Sequence, residues 1–286
     1  MLEFDFLRSW TVARKEVDYT DRDVMLYALA VGLGGYDPKE LTYVYERDLR
    51  IAPTFIMVAG HWLPWLHDPR TGIDVRRLLH GESWLRLDGT LPPAGTLTVE
   101  SDVTHVIDKG KDKGAVVYFE NRVTVSGSDS YVARLGGCFL FPWDGGPGDG
   151  NPTAPKPLPK VPEGAPDASF EQWVPENAAQ LYRLTGDRNP IHVDHEIARW
   201  AGLERPLLHG LCTFGYVTNA LLRLHADADG ACLQEISARY VSPMYPGQML
   251  RTESFSMGDG QFAFRAVTGQ GKAVINNGRV QFKAKQ

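Results

Sequence analysis

Apolar positions along this chain switch between a helical period and a strand period, and the switch occurs twice. In DRDVMLYALAVGLG, residues 21–34, Val24, Tyr27, Ala28 and Val31 recur on one helical face, with Asp21 and Asp23 near the start and glycines at the end. That spacing predicts an amphipathic helix. Further on, VVYFENRVTV, residues 116–125, sets Val117, Phe119, Asn121, Val123 and Val125 against more polar neighbours. Period two predicts a strand covered on one face, with Leu97–Ile107 and Tyr131–Phe141 as its neighbours. The second half repeats the order. HGLCTFGYVTNALLRL, residues 209–224, puts Leu211, Phe214, Thr218, Leu221 and Leu222 at helical spacing. QFAFRAV then alternates Phe262, Phe264 and Ala266, and ISARYVSPMYPG carries β-formers up to a Pro/Gly turn. The pattern predicts an α+β fold in which a long central helix lies against a curved antiparallel sheet, made twice.

Between the two halves, residues 144–164 read DGGPGDGNPTAPKPLPKVPEG, where six prolines and five glycines leave no room for a helix or a central strand. This stretch is expected to be a linker, part flexible and part extended. It divides the chain into 1–143, 144–164 and 165–286.

Composition narrows the partners. A formal net charge of -5 and a sequence pI near 5.9 give no general attraction to nucleic acid and no polybasic membrane patch. Cys138, Cys212 and Cys232 are odd in number and form neither a CxxC pair nor a metal-ligand spacing, so a disulfide framework is not expected. The opening MLEFDFLRSW meets charge at once, and no apolar run approaches a membrane span. The expectation is a cytoplasmic protein with a small-molecule partner.

Candidate chemistry concentrates in TGDRNPIH, residues 185–192. Asp187, Asn189 and His192 are too close for two turns of helix, and Pro190 pushes Asn189 out of the helical region, so the segment is a loop or turn. Asp and Asn cap local backbone donors in ordinary turns, and the spacing alone is satisfied by that role. A second segment, RPLLHGLCTFGYV, brings His209 and Gly210 to the start of the predicted helix. Without a side chain at Gly210, a ligand oxygen can approach a free amide at the positive end of the helix dipole.

YRLTGDRNPIHVD followed by PLLHGLCTFGY closely resembles the hydratase 2 signature of the MaoC-like dehydratase family. RDVMLYALAVG, PTF, LHGE and VIDKG in the first half, and YPGQ at residues 245–248, are similar to segments of that family's longer members in the same order. The resemblance covers nearly the whole chain apart from the linker and termini. It implies a double hot-dog fold and reversible hydration of a trans-2-enoyl-CoA to the (3R)-3-hydroxyacyl-CoA, with no metal or redox cofactor. It also implies Asp187, Asn189 and His192 as catalytic residues and Gly210 as the oxyanion donor, in a catalytic second half. His80, Gly81, Lys109 and Tyr240 become substrate-binding positions, with Lys109 toward a CoA phosphate and the first half accommodating the acyl group. Two alternatives stay open, a 3-hydroxyacyl carrier-protein dehydratase and a non-catalytic acyl-CoA-binding subunit of a heteromeric hydratase. A homodimer is expected because hot-dog sheets extend through their edges.

Overall fold

The computed structural model describes residues 2–149 and 153–283. Gly150, Asn151 and Pro152, inside the expected linker, lie outside the described residues. Ten antiparallel strands form one continuous sheet: β1 (Ala13–Tyr19), β2 (Leu79–Leu87), β3 (Gly95–Asp108), β4 (Ala115–Val125), β5 (Tyr131–Phe141), β6 (Ala168–Val174), β7 (Leu233–Tyr240), β8 (Gln248–Gly258), β9 (Gln261–Thr268) and β10 (Ala273–Phe282). The spatial order is β1-β3-β4-β5-β2-β7-β10-β9-β8-β6. Counted from its own first strand, each half therefore runs first, third, fourth, fifth, second. The halves meet through their second strands, where Glu82 to Arg86 of β2 pair with Arg239 to Glu235 of β7.

Among the described residues seven α-helices accompany the sheet: α1 (Phe4–Arg8), α2 (Asp21–Ala30), α3 (Ile56–Ala59), α4 (Pro64–His67), α5 (Ala178–Tyr182), α6 (His195–Trp200) and α7 (Gly210–His225). Every residue of α7 from Cys212 to Leu222 is buried, so the helix is wrapped on all sides rather than along one stripe. The helix expected in the first half is present as α2 but spans only ten residues, and among the described residues no long helix occupies the place that α7 takes in the second half. Where the second half has α7, the first has α3, α4 and 3₁₀ turns, because Pro53, Gly60, Pro64 and Pro69 interrupt the chain every few residues. The ten-residue α2 follows β1 as α5 follows β6, and it packs against α5 across the boundary between halves.

Helix α7 also crosses the end of α2, and Gly215 makes the approach possible. A Cβ there would lie 2.5 Å from Val31 Cγ1. The last carbonyls of α2 and its cap, which no helix can satisfy internally, are taken up by α7. Asn219 Nδ2 donates to Val31 O at 2.9 Å, and Arg223 Nη2 donates to Gly32 O at 2.9 Å. Arg223 also pairs with Glu40 of the first half, and both side chains are almost fully buried. The interval between β5 and β6 is tied at its start, where the Asp108 carboxylate accepts from the amides of Gly146 and Gly148. Farther along, Arg279 Nη2 donates to Lys160 O at 2.7 Å. All three cysteines are free.

Candidate active site

The loop from Arg183 to Asp194 joins α5 to α6 through two 3₁₀ turns, Arg183–Thr185 and Pro190–His192. Gly186 turns the chain between them with φ +150°, a conformation that L side chains rarely adopt. The capping role expected of Asp and Asn is present. Asn189 N–H donates to Asp187 Oδ1 at 3.0 Å, and Ile191 N–H donates to Asn189 Oδ1 at 3.1 Å. Asn189 keeps its Nδ2 donors for other partners.

These local bonds do not exhaust the loop's polar groups. His192 is 8% exposed, and its Nδ1 lies 2.9 Å from Leu207 O. A carbonyl can only accept, so Nδ1 carries the proton and Nε2 is left with a lone pair. His209 stacks on His192 with ring centroids 3.6 Å apart, and its Nε2 donates to Asp187 O at 3.1 Å. By the same reasoning His209 Nδ1 is an acceptor, buried and without a hydrogen-bond partner among the described residues. Tyr182 of α5 packs on the opposite side of His209, 4.7 Å between centroids.

Electrostatics divide the cluster into one anion and several neutral imidazoles. Burial works to raise the Asp187 pKa, but His209, the Asn189 amide, His192 and His61 outweigh it and hold the carboxyl below its ordinary value. Burial lowers His192 despite the opposing pull of Leu207 O and Asp187. Burial, reinforced by the adjacent His192, lowers His209 as well. Asp187, His192 and His209 offer three ligand atoms within 4.8 Å of one another, a donor set that could also hold a divalent metal ion.

The start of α7 closes the site from another side. Its first internal hydrogen bond runs from Thr213 N–H to His209 O, so the amides of Gly210, Leu211 and Cys212 precede any helical acceptor. Above Gly210 stand two of the expected substrate-binding residues. A Cβ on Gly210 would be 3.4 Å from both His80 Nδ1 and Tyr240 Cε1. His80 comes from β2 and Tyr240 from β7, their rings 4.6 Å apart. Ser83 bridges them, accepting from Tyr240 O–H at 3.0 Å and lying 3.0 Å from His80 Nε2. The sheet junction thus places a first-half histidine over the second half's helix start.

The other two expected positions are not brought to this cluster. Gly81 packs toward Cys138 and Leu140, where a Cβ would be 2.8 Å from Cys138 Sγ. It sits at a register shift between His80 and Glu82, and that bulge is what lets His80 and Ser83, three residues apart, meet. Lys109 stands exposed in the turn between β3 and β4, at the end of the sheet where β2 begins. Three strand spacings separate β3 from β2, about 14 Å. Sequence reading did not single out Ser83 or His61, which lie in no motif with chemical spacing, nor Tyr182, which opens the YRLTGDRNPIHVD segment without a role assigned to it. It recognised His209 only as the residue before Gly210.

Residues 17–135 match the MFE-2 hydratase 2 N-terminal domain, and residues 157–277 match the MaoC like domain. The chain is 33% identical over 280 residues to a peroxisomal multifunctional enzyme type 2 of Drosophila melanogaster, covering 94% of this chain and 46% of that protein. It therefore spans about half of that relative. A 3-hydroxyacyl-thioester dehydratase Y of Mycobacterium tuberculosis is 34% identical, with 93% of this chain and 94% of the relative covered. Among solved structures, a MaoC-like dehydratase from Phytophthora capsici superposes with a TM-score of 0.85 at 28% identity, covering 99% of both chains.

Proposed function

Since this chain belongs to the MaoC-like dehydratase family and joins that domain to a hydratase 2 N-terminal domain, we propose that it adds water reversibly to a trans-2-enoyl-CoA, giving the (3R)-3-hydroxyacyl-CoA. One observation carries this reading. An ionised Asp187 and the free lone pair of His192 Nε2 lie together beside the unbonded amides that open α7.

In this reading a water molecule donates one hydrogen to the Asp187 carboxylate and one to His192 Nε2, while Asn189 Nδ2 orients it. Its oxygen attacks C3 as one O–H bond breaks. The electron pair of the C2=C3 bond moves toward the thioester oxygen, which accepts from Gly210 N–H. The proton held in the interval by Asp187 or His192 is then delivered to C2, so one C–O and one C–H bond replace the π bond. The reaction requires no metal or redox cofactor. His80 and Tyr240 cover the thioester, Gly81 shapes the bulge that positions His80, and Lys109 meets a phosphate of the extended CoA.

Loss of the conjugated thioester absorbance, with product configuration read by a coupled stereospecific dehydrogenase, tests the proposal. Rapid loss with the (3R) product is expected. Asp187→Asn and His192→Ala should each lower kcat by about 10²–10⁴, and near-wild-type turnover in either variant sinks the assignment.

Dehydration of a 3-hydroxyacyl carrier protein is the same chemistry reversed, and the mycobacterial relative is named for a thioester without naming its carrier. Saturation kinetics with CoA and carrier-protein substrates separates the two. A non-catalytic acyl-CoA-binding subunit would bind without turnover. A homodimer and a cytoplasmic location complete the proposal, although the fly relative carries a peroxisomal name. Among the described residues no helix is long and apolar enough to cross a membrane.

A further inference from the structure

The first half presents to this site a group that the chemistry above does not use. Gly60, His61 and Trp62 make the turn between α3 and α4, and Asn121 of β4 grips it on both sides. Asn121 Nδ2 donates to Gly60 O at 2.7 Å and to Trp62 O at 3.0 Å. Phe119, two residues earlier on β4, meets the His61 ring edge-on at 5.7 Å. Gly60 leaves the turn no slack, since a Cβ there would lie 2.8 Å from Ile56 O and 2.9 Å from Leu135 and Val123. The turn also abuts the catalytic loop, where a Cβ on Gly186 would be 3.3 Å from Val58 Cγ1 of α3.

The turn that carries His61 is thus held rigidly, and α3, which leads into it, packs on the residue that precedes Asp187. Asp187 and His80 lie close enough for their charges to bear on it, Asp187 acting to raise its pKa. Burial outweighs that effect and pulls His61 down to about 4, so the imidazole is neutral near pH 7. In the tautomer that carries its proton on Nδ1, toward its own carbonyl, Nε2 is an acceptor. That nitrogen is buried with no hydrogen-bond partner among the described residues. Of the two residues His192 is the more enclosed, buried where His61 is half-buried.

A rigidly held, buried acceptor without a donor costs free energy, and that cost is recovered when a ligand supplies the donor. We propose that His61 is a specificity-determining residue of this site, accepting through Nε2 a hydrogen bond from an O–H or N–H donor of the thioester substrate. The inference rests on the hydratase reading. Two parts of such a substrate carry that donor chemistry, a hydroxyl on the acyl group and the pantetheine arm.

The test compares wild type, His61→Leu and His61→Gln on three substrates. These are trans-2-hexenoyl-CoA, the same acyl group bearing a hydroxyl as its CoA thioester, and trans-2-hexenoyl-N-acetylcysteamine, which lacks the pantetheine hydroxyl. His61→Leu should lose about tenfold in kcat/KM, mainly through KM, and His61→Gln should recover most of it. Loss confined to the hydroxylated substrate places the donor on the acyl group. Equal loss on both CoA thioesters, with the N-acetylcysteamine thioester spared, places it on the pantetheine arm. Unchanged kcat/KM on all three, or a uniform fall in kcat that His61→Gln does not rescue, overturns the proposal. A wild type that hydrates none of them removes the hydratase reading itself.

Discussion

His192 owes its chemistry to a carbonyl. Leu207 O takes the proton on Nδ1 and so leaves the lone pair on Nε2, while burial lowers the ring's pKa. Asp187 is likewise held below its ordinary pKa, so each group keeps its proton-accepting form to lower pH than it would in water. The kcat/KM profile should therefore fall toward acid with its midpoint below pH 6.5. A midpoint at or above 6.5 would contradict this. Stability follows the same sign. His61 and His80 fall to about 4 and about 3 on burial, so the unfolded chain binds more protons below its own histidine pKa. Each such residue contributes fully above about pH 6.5 and loses about 1.4 kcal/mol per pH unit as the pH drops toward its folded value. Thermal melts between pH 7 and 4 should show Tm falling steeply. That Asp187, Asn189 and His192 share a non-helical turn was legible in the sequence because Pro190 bars a helix there, whereas their expected catalytic role came from the resemblance alone. Nothing in the sequence revealed that His61 approaches that turn, and His80 was marked only by the resemblance, since its approach depends on strand register and on a bulge at Gly81.

At the level of elements, the two halves differ most where their strand order agrees. Helix α7 was readable from its period, and so were β4 and its neighbours, because each repeats one pattern for ten residues or more. The expectation of a matching long helix in the first half came from α2, whose periodicity is real but whose partners are α5 and α7 rather than the sheet of its own half. The missing helix could have been suspected from Pro53, Gly60, Pro64 and Pro69. The α2–α7 crossing is tight enough to predict its response to substitution. Gly215→Ala forces a methyl against Val31 and should cost about 1–3 kcal/mol in denaturant unfolding. Glu40→Gln leaves Arg223 buried without its anion and should cost about 3–5 kcal/mol. A Glu40→Gln variant with unchanged stability would mean that Gln172, Gly32 and the rings of Tyr36 and Phe170 suffice for the guanidinium.

Across the whole molecule, the β2–β7 ladder makes one sheet of two five-stranded halves. Residues 165–286 expressed alone would expose the β7 edge and lack His80 and Ser83. Such a fragment should aggregate or, if soluble, hydrate no enoyl thioester, and a fully active fragment would show that the first half is dispensable. The strand order joins the halves about an approximate twofold relation, as in a pair of identical subunits, but here within one polypeptide. In a pair encoded by a single gene, every substitution appears twice and each copy must remain fit for both roles. Covalent tandem arrangement removes that constraint. A change near His61 has no twin beside Asp187, so the first half can be reshaped by mutation while the residues that handle the proton stay as they are.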